Sequence, residues 1–135
     1  MPNAIERHTS PALFPPPGYA HAVVSHGATT VWTAGGVPLD RDGALVGPGD
    51  VTAQAEQVLA NLAVALEAAG ATPTDVVRTT VYVVASDRSD LGVAWDAVQA
   101  SPYAPAASTL LGVSMLGYEG QLVEIEATAV LGGGG

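Results

Sequence analysis

The sequence contains no cysteine, so disulfides, thiolate nucleophiles and cysteine-based metal sites are excluded. Basic residues are nearly as scarce. Arg7, Arg41, Arg78 and Arg88 stand against thirteen Asp plus Glu, for a formal net charge of −9. A nucleic-acid surface needs a basic stripe to neutralise phosphates and release counterions. Four scattered arginines cannot form one, so nucleic acid is not an expected partner, and the same charge disfavours anionic membrane. No apolar run approaches the roughly 20 residues that span a bilayer. Met1–Pro17 lacks the apolar stretch behind a basic region that marks a signal peptide. The expectation is a soluble, cytoplasmic protein. The three histidines are His8 in the tail, His21 in a strand and His26 in a turn; their spacing matches no zinc site.

What is present suffices for one domain. The chain has 135 residues and is 48% hydrophobic, long and apolar enough for a single core. Residues 1–18 lack periodicity and end in Pro15-Pro16-Pro17-Gly18, an irregular lead-in. Tyr19–His26 reads as a strand, His26-Gly27-Ala28 as a turn and Thr29–Ala34 as a second strand, together a hairpin. Gly35-Gly36-Val37-Pro38 closes it, and Asp40-Arg41-Asp42-Gly43 signals a turn. Over 52–69, Ala55, Val58, Leu59, Leu62, Leu66 and Ala69 recur at helical spacing, with Asp50 or Thr52 to cap the start and Gly70 to stop the end. Val76–Ala85 is rich in β-branched residues and reads as a central strand. Residues 88–100, carrying Leu91, Trp95 and Val98, predict a shorter helix. Ser108–Met115 and Gln121–Leu131 predict two final strands around a turn at Gly117–Gly120, before a flexible glycine tail at 132–135.

The expected order is β-β-α-β-α-β-β. An α+β sheet with both helices on one face is the economical packing of that order. The second face still carries Val, Thr, Tyr and Leu, which points to a partner subunit.

These segments resemble the Rid (reactive intermediate deaminase) family. Tyr19-Ala-His-Ala-Val and Val31-Trp-Thr-Ala-Gly35-Gly-Val-Pro-Leu-Asp40 are similar to its opening hairpin. Gln54 to Gly70 is similar to its first helix, and Asp75-Val-Val-Arg-Thr-Thr-Val-Tyr-Val to its third strand. Pro105-Ala-Ala-Ser-Thr and Leu122-Val-Glu-Ile-Glu-Ala127 resemble its Pro-Ala-Arg-Ser strand and closing Glu-Ile-Glu-Ala segment. The resemblance spans Tyr19–Leu131. It implies a chorismate-mutase-like α+β fold and a homotrimer with clefts between subunits. It also implies hydrolysis of enamines and imines to ketones with release of ammonia, without metal or organic cofactor. Ribonuclease activity is also associated with the family, and the charge balance argues against it here.

The sequence departs from that pattern at the family's carboxylate-gripping arginine, which falls at Ala107. A bidentate Arg–carboxylate contact cannot come from alanine. Arg78 is the nearest alternative, but it sits on another strand and reads more simply as a structural or interface charge. A glutamine usual after the first glycine of Gly35-Gly36 is Gly36, and an asparagine of the second helix falls at Trp95. These changes suggest a pocket for a neutral or aromatic small molecule. The resemblance assigns Glu124 to the family glutamate that positions the attacking water. Glu124 and Glu126 share strand parity, and a carboxylate in an apolar cleft can serve as acid or base near neutrality. Tyr19 matches a pocket-lining tyrosine. His21 shares its parity and is a natural proton shuttle, so Glu124, His21 and Tyr19 are the candidate catalytic residues. Gly35, Trp95, Ala107, Thr109 (cysteine in many relatives), Tyr118 and Glu119 are the candidate substrate-binding residues. Ser108 has no evident histidine–acid partner, which leaves a nucleophilic triad unsupported.

The function expected is a deaminase-like enzyme acting on a reactive enamine or imine in an intersubunit cleft. Two alternatives stand beside it: a non-catalytic ligand-binding or regulatory trimer, and a secondary-metabolite tailoring enzyme performing cyclisation, dehydration or tautomerisation.

Overall fold

In the computed structural model, which describes residues 5–26 and 29–132, six strands and two helices follow in the order β1 (Ile5–His8), β2 (Ala22–Ser25), β3 (Thr29–Trp32), α1 (Val51–Ala68), β4 (Val76–Val84), α2 (Arg88–Gln99), β5 (Ala107–Val113) and β6 (Val123–Leu131). A 3-10 turn, Pro73–Asp75, leads into β4. The main sheet has strand order β3-β6-β4-β5, with β4 and β5 parallel and the other pairs antiparallel. Both helices cover one face of it. Val81 and Val83 of β4 and Val123, Ile125, Ala127 and Ala129 of β6 point toward the helices and are buried with Val58, Leu62, Leu66, Ala94 and Val98. Among the described residues, no helix is long and apolar enough to cross a membrane.

The long helix forms where its stripe predicts it. Asp50 caps it by accepting from the Ala53 amide at 3.0 Å, and Gly70 ends it with φ +85°. The buried face also includes Gln54, which the apolar pattern does not announce, while Ala69 is exposed. The Gln54 amide donates to Gly47 O and Gly120 O, both at 3.1 Å, and accepts from the Leu122 amide at 2.7 Å. Asn61 donates to Val37 O and Leu39 O at 2.8 and 2.9 Å. These two amides thus tie α1 to the segment that follows β3 and to the loop before β6, satisfying backbone carbonyls of both.

The opening hairpin is corrected by the fold. β2 pairs with β1 in the register Ile5↔Ser25 to His8↔Ala22, forming a separate two-stranded sheet, while β3 pairs with β6. The lead-in read as irregular holds β1, because Ile5–His8 offers β2 a complementary edge. Arg7 anchors this pair by donating to Pro105 O at 2.6 Å and Thr74 O at 3.2 Å. His8 and His26, expected to be solvated, both lie against Glu6, and the His26 hydrogen bond holds the Glu6 carboxyl below its usual pKa. Gly27 and Ala28 of the expected turn, and residues 133–135 of the expected glycine tail, lie outside the described residues.

A bulge in β4 matters for the sheet's second face. Val76 opposes Ala129 and Arg78 opposes Thr128, so two steps of β4 match one of β6. The extra residue turns Val76 into the core and Arg78 outward.

Candidate functional site

The face of the sheet away from the helices carries most of the sheet's titratable side chains. Arg78, Thr80 and Tyr82 of β4, Ala107 and Thr109 of β5, and Glu124, Glu126 and Thr128 of β6 share it by register. Trp32, opposite Thr128, stands 76% exposed at its margin. Tyr82 donates its hydroxyl to Glu126 Oε1. That bond, with burial and the Glu126 and Glu124 charges adding to it, raises the Tyr82 phenol above its usual pKa.

Glu124 occupies a fitted position. Its Oε1 accepts from Gln121 Nε2 at 3.1 Å, and the same nitrogen donates to Val123 O at 3.0 Å. Gln121 is 3% exposed, and its Oε1 in turn accepts from the Tyr118 amide at 3.1 Å. The turn holding Tyr118 and Glu119 is thereby linked through Gln121 to the carboxylate. On the other side, the chain after β3 continues along β6, with the Gly36 amide donating to Ile125 O at 2.7 Å. This lays Gly35 on the Glu124 carboxylate so closely that a Cβ there would overlap Oε2 and stand 2.7 Å from Cδ. A side chain at Gly36 would likewise meet Leu62 Cγ of α1 at 2.9 Å, which explains why a glutamine has no room there.

Tyr19 and Trp95 come together at the other end of the sheet. Their rings pack edge to face with centroids 6.3 Å apart, and the indole Nε1 donates to Pro17 O at 2.8 Å. With Pro17, Ser108 and Leu110 they line a hollow of about 300 Å³ beside the edge strand β5. Ser108 shares a hydrogen bond of 2.6 Å with the buried Thr79. His21 lies next to Tyr19, with ring centroids 6.1 Å apart, yet both its nitrogens are occupied. Nδ1 accepts from the Ser10 amide and Nε2 donates to Phe14 O, each at 3.0 Å. Because an amide can only donate and a carbonyl can only accept, the ring is the neutral Nε2–H tautomer. It ties down the lead-in and has no nitrogen free to shuttle a proton while these bonds stand.

The candidate residues therefore fall into three groups within one chain. Tyr19, His21 and Trp95 stand at the β5 edge, Ala107 and Thr109 on the open face of β5, and Glu124, Gly35, Tyr118 and Glu119 around the start of β6. Tyr118 and Glu119 line a different hollow, of about 330 Å³, together with Gln121 and Leu122. From strand spacing and rise, Glu124 and Thr109 lie roughly 12 Å apart across β4. Sequence reasoning missed Gln121 as the Glu124 partner, and it set Arg78 aside as a structural or interface charge on another strand, where the register places it beside Ala107. For Arg78 the signal was the only basic residue in a strand otherwise built of Val, Thr and Tyr. Gln121 gave none. Among the described residues, no group of three or more His, Asp or Glu side chains is arranged to hold a metal ion.

A mixed sheet backed by two helices is an α+β, chorismate-mutase-like arrangement shared by YjgF-type proteins. A sequence profile for the Endoribonuclease L-PSP family matches residues 9–131, and the chain belongs to that family, which includes the Rid and YjgF proteins. It is similar to the solved structure of a conserved Rid-family protein, YyfB, from Yersinia pestis, with 40% identity and TM-score 0.88 over 96% of this chain and 100% of that one. A Mycobacterium tuberculosis member of the YjgF/YER057c/UK114 family has 31% identity and TM-score 0.58, with 94% and 99% covered. A YjgF-family member from Neisseria meningitidis has 25% identity and TM-score 0.59, with 93% of each chain covered. No curated protein matches the sequence.

Proposed function

We propose that the chain hydrolyses small enamines or imines, with Glu124 as the acid–base group, in a cleft that a second copy completes. The observation that carries this reading is the seat of Glu124. Gln121 holds Oε1, and a side-chain-free loop at Gly35 lies against Oε2. Such a seat fixes the carboxylate's direction without neutralising it by a cation. In the reaction proposed, water attacks the carbon of the C=N bond as the carboxylate accepts its proton. The carboxylate returns that proton to the imine nitrogen, giving a carbinolamine. The hydroxyl proton then passes through the carboxylate to the amine as the C–N bond breaks, and ammonia leaves a ketone behind. An enamine enters the same route by taking a proton at carbon to become the imine.

The separation of the Tyr19–Trp95 hollow from Glu124 within one chain supports a shared site, and so does the open sheet face with Trp32 exposed on it. A homotrimer is the assembly proposed, with the hollow of one copy turned toward the Glu124 of another. Its aromatic walls suit a substrate with an apolar or aromatic group. In this reading His21 keeps the lead-in and Tyr19 in place rather than moving protons. Ribonuclease action is not proposed, since the net charge of −9 and four arginines offer phosphates no basic track.

The test is imine hydrolysis, with imines generated in place by an amino-acid oxidase and ketone formation timed. Wild-type turnover that Glu124→Gln abolishes supports the reading. Unchanged turnover in the variant removes Glu124 from the mechanism, and no turnover by wild type on any imine favours the binding-trimer alternative.

A further inference from the structure

We propose that Arg78 is a specificity-determining residue that holds an anionic group of the ligand, a carboxylate by its geometry, on the open face of the sheet. The proposal rests on the reading of that face as the ligand site.

The bulge between Val76 and Arg78 aims the arginine outward, away from the helices. In the parallel ladder its partner on β5 is Ala107, whose side chain is only a methyl. The side chain reaches along β5 to Thr109, with Nη2 donating to Oγ1 at 3.1 Å. A neutral hydroxyl orients the planar fork without cancelling its charge. Arginine has five N–H donors and no acceptor, so most of its donor capacity stays open, in the pattern that matches a planar carboxylate.

Carboxylates of the chain itself do not fill that capacity. Thirteen acidic side chains outnumber the four arginines, yet the ion pairs among the described residues are the two that Glu6 makes with His8 and His26. Glu126, the acid nearest in register on the same face, turns its Oε1 to the Tyr82 hydroxyl instead. The remaining arginines lie elsewhere: Arg7 is committed to two backbone carbonyls, Arg41 lies in a turn and Arg88 opens α2. Arg78 is thus the one cation of the open face among the described residues. The expectation of a neutral substrate, drawn from alanine at 107, gives way to a cation supplied from the adjacent strand.

Direct binding tests this without turnover. Benzoylformate and its methyl ester, which differ in the carboxylate charge, are titrated into wild type, Arg78→Met, Arg78→Lys and Thr109→Val by ligand-observed NMR. The oligomeric mass of each variant is measured alongside. The wild type is expected to prefer the acid by about ten-fold, the scale of one charge-assisted contact. Arg78→Met should lose the preference at unchanged mass, Arg78→Lys should keep part of it, and Thr109→Val should weaken it a few-fold. A wild type without preference, or an Arg78→Met that retains it, overturns the proposal. Glu124→Gln should keep the preference. Arg78-dependent preference without imine hydrolysis would sink the proposed reaction and leave the anion site. Hydrolysis with an unchanged preference in Arg78→Met would do the reverse.

Discussion

The two faces of the main sheet are built from the same strands and obey opposite rules. Toward the helices, Val81, Val83, Val123 and Ile125 are fully buried. The few polar groups on that side are satisfied in place, as in the Thr79–Ser108 hydroxyl pair. Away from the helices, the alternate residues of the same strands are Arg78, Thr80, Tyr82, Glu124 and Glu126, half-buried or exposed and rich in unused donors and acceptors. One residue of chain separates the two regimes. The covered face explains why the protein folds, and the open face why it would act.

The largest effect that can separate the faces is expected at Glu124. Replacing it by Gln should lower imine turnover by about 10²–10⁴-fold, the range of general acid–base catalysis, with the melting temperature unchanged. Ile125, its neighbour in sequence, should behave in the opposite way. Ile125→Ala removes a fully buried side chain and should cost about 2–5 kcal/mol in chemical denaturation. A fall in turnover no greater than the loss of folded protein would then keep the faces distinct.

Alkaline pH provides a smaller and conditional test of the covered side. The Tyr103 hydroxyl donates to Leu59 O at 2.7 Å, and burial pushes its pKa up to about 12. The folded state holds this proton more tightly than the unfolded chain, whose phenol titrates near 10. The contribution is therefore fully present below about pH 10 and is lost as the pH rises toward about 12. It is worth about 2–3 kcal/mol. Tyr103→Phe should flatten that part of the stability–pH curve, measured by denaturant titration between those values. The smallest effect on the fold itself is expected at Trp32. Being mostly exposed, it can be changed to Asp with a shift of about 0.5 kcal/mol or less in the stability of the isolated fold, while light scattering should report loss of the proposed trimer.

What the sequence made legible follows this division. Period 3.6 in 52–69 and β-branched density in 76–85 reflect burial against the core, so α1, β4 and the parity of Glu124 and Glu126 could be read directly. Pairing could not. Ala22–Ser25 reads as a strand whichever neighbour it has, and only the fold reveals that Ile5–His8 supplies its partner. The polar connectors were equally silent. Gln54 and Gln121 are buried because backbone groups far along the chain need their amides, a demand that leaves no periodic trace. His21 was named for its chemistry, while its surroundings are the Ser10 amide and the Phe14 carbonyl. Arg78 was visible as a lone cation, but its nearness to Ala107 depends on the β4–β5 register and the bulge.

The glycine loop over Glu124 has a consequence for how this protein can vary. A Cβ at position 35 and the present glutamate carboxylate cannot occupy the same space. The two positions are therefore linked as an inheritance: a lineage can accept alanine at 35 only by shortening 124, turning its carboxylate away from the present seat or shifting the loop that follows β3. In a deep library randomised at both positions, variants that fold with a side chain at 35 should be enriched for small residues at 124. The carboxylate's seat, in that sense, is guarded by a residue that has no chemistry of its own.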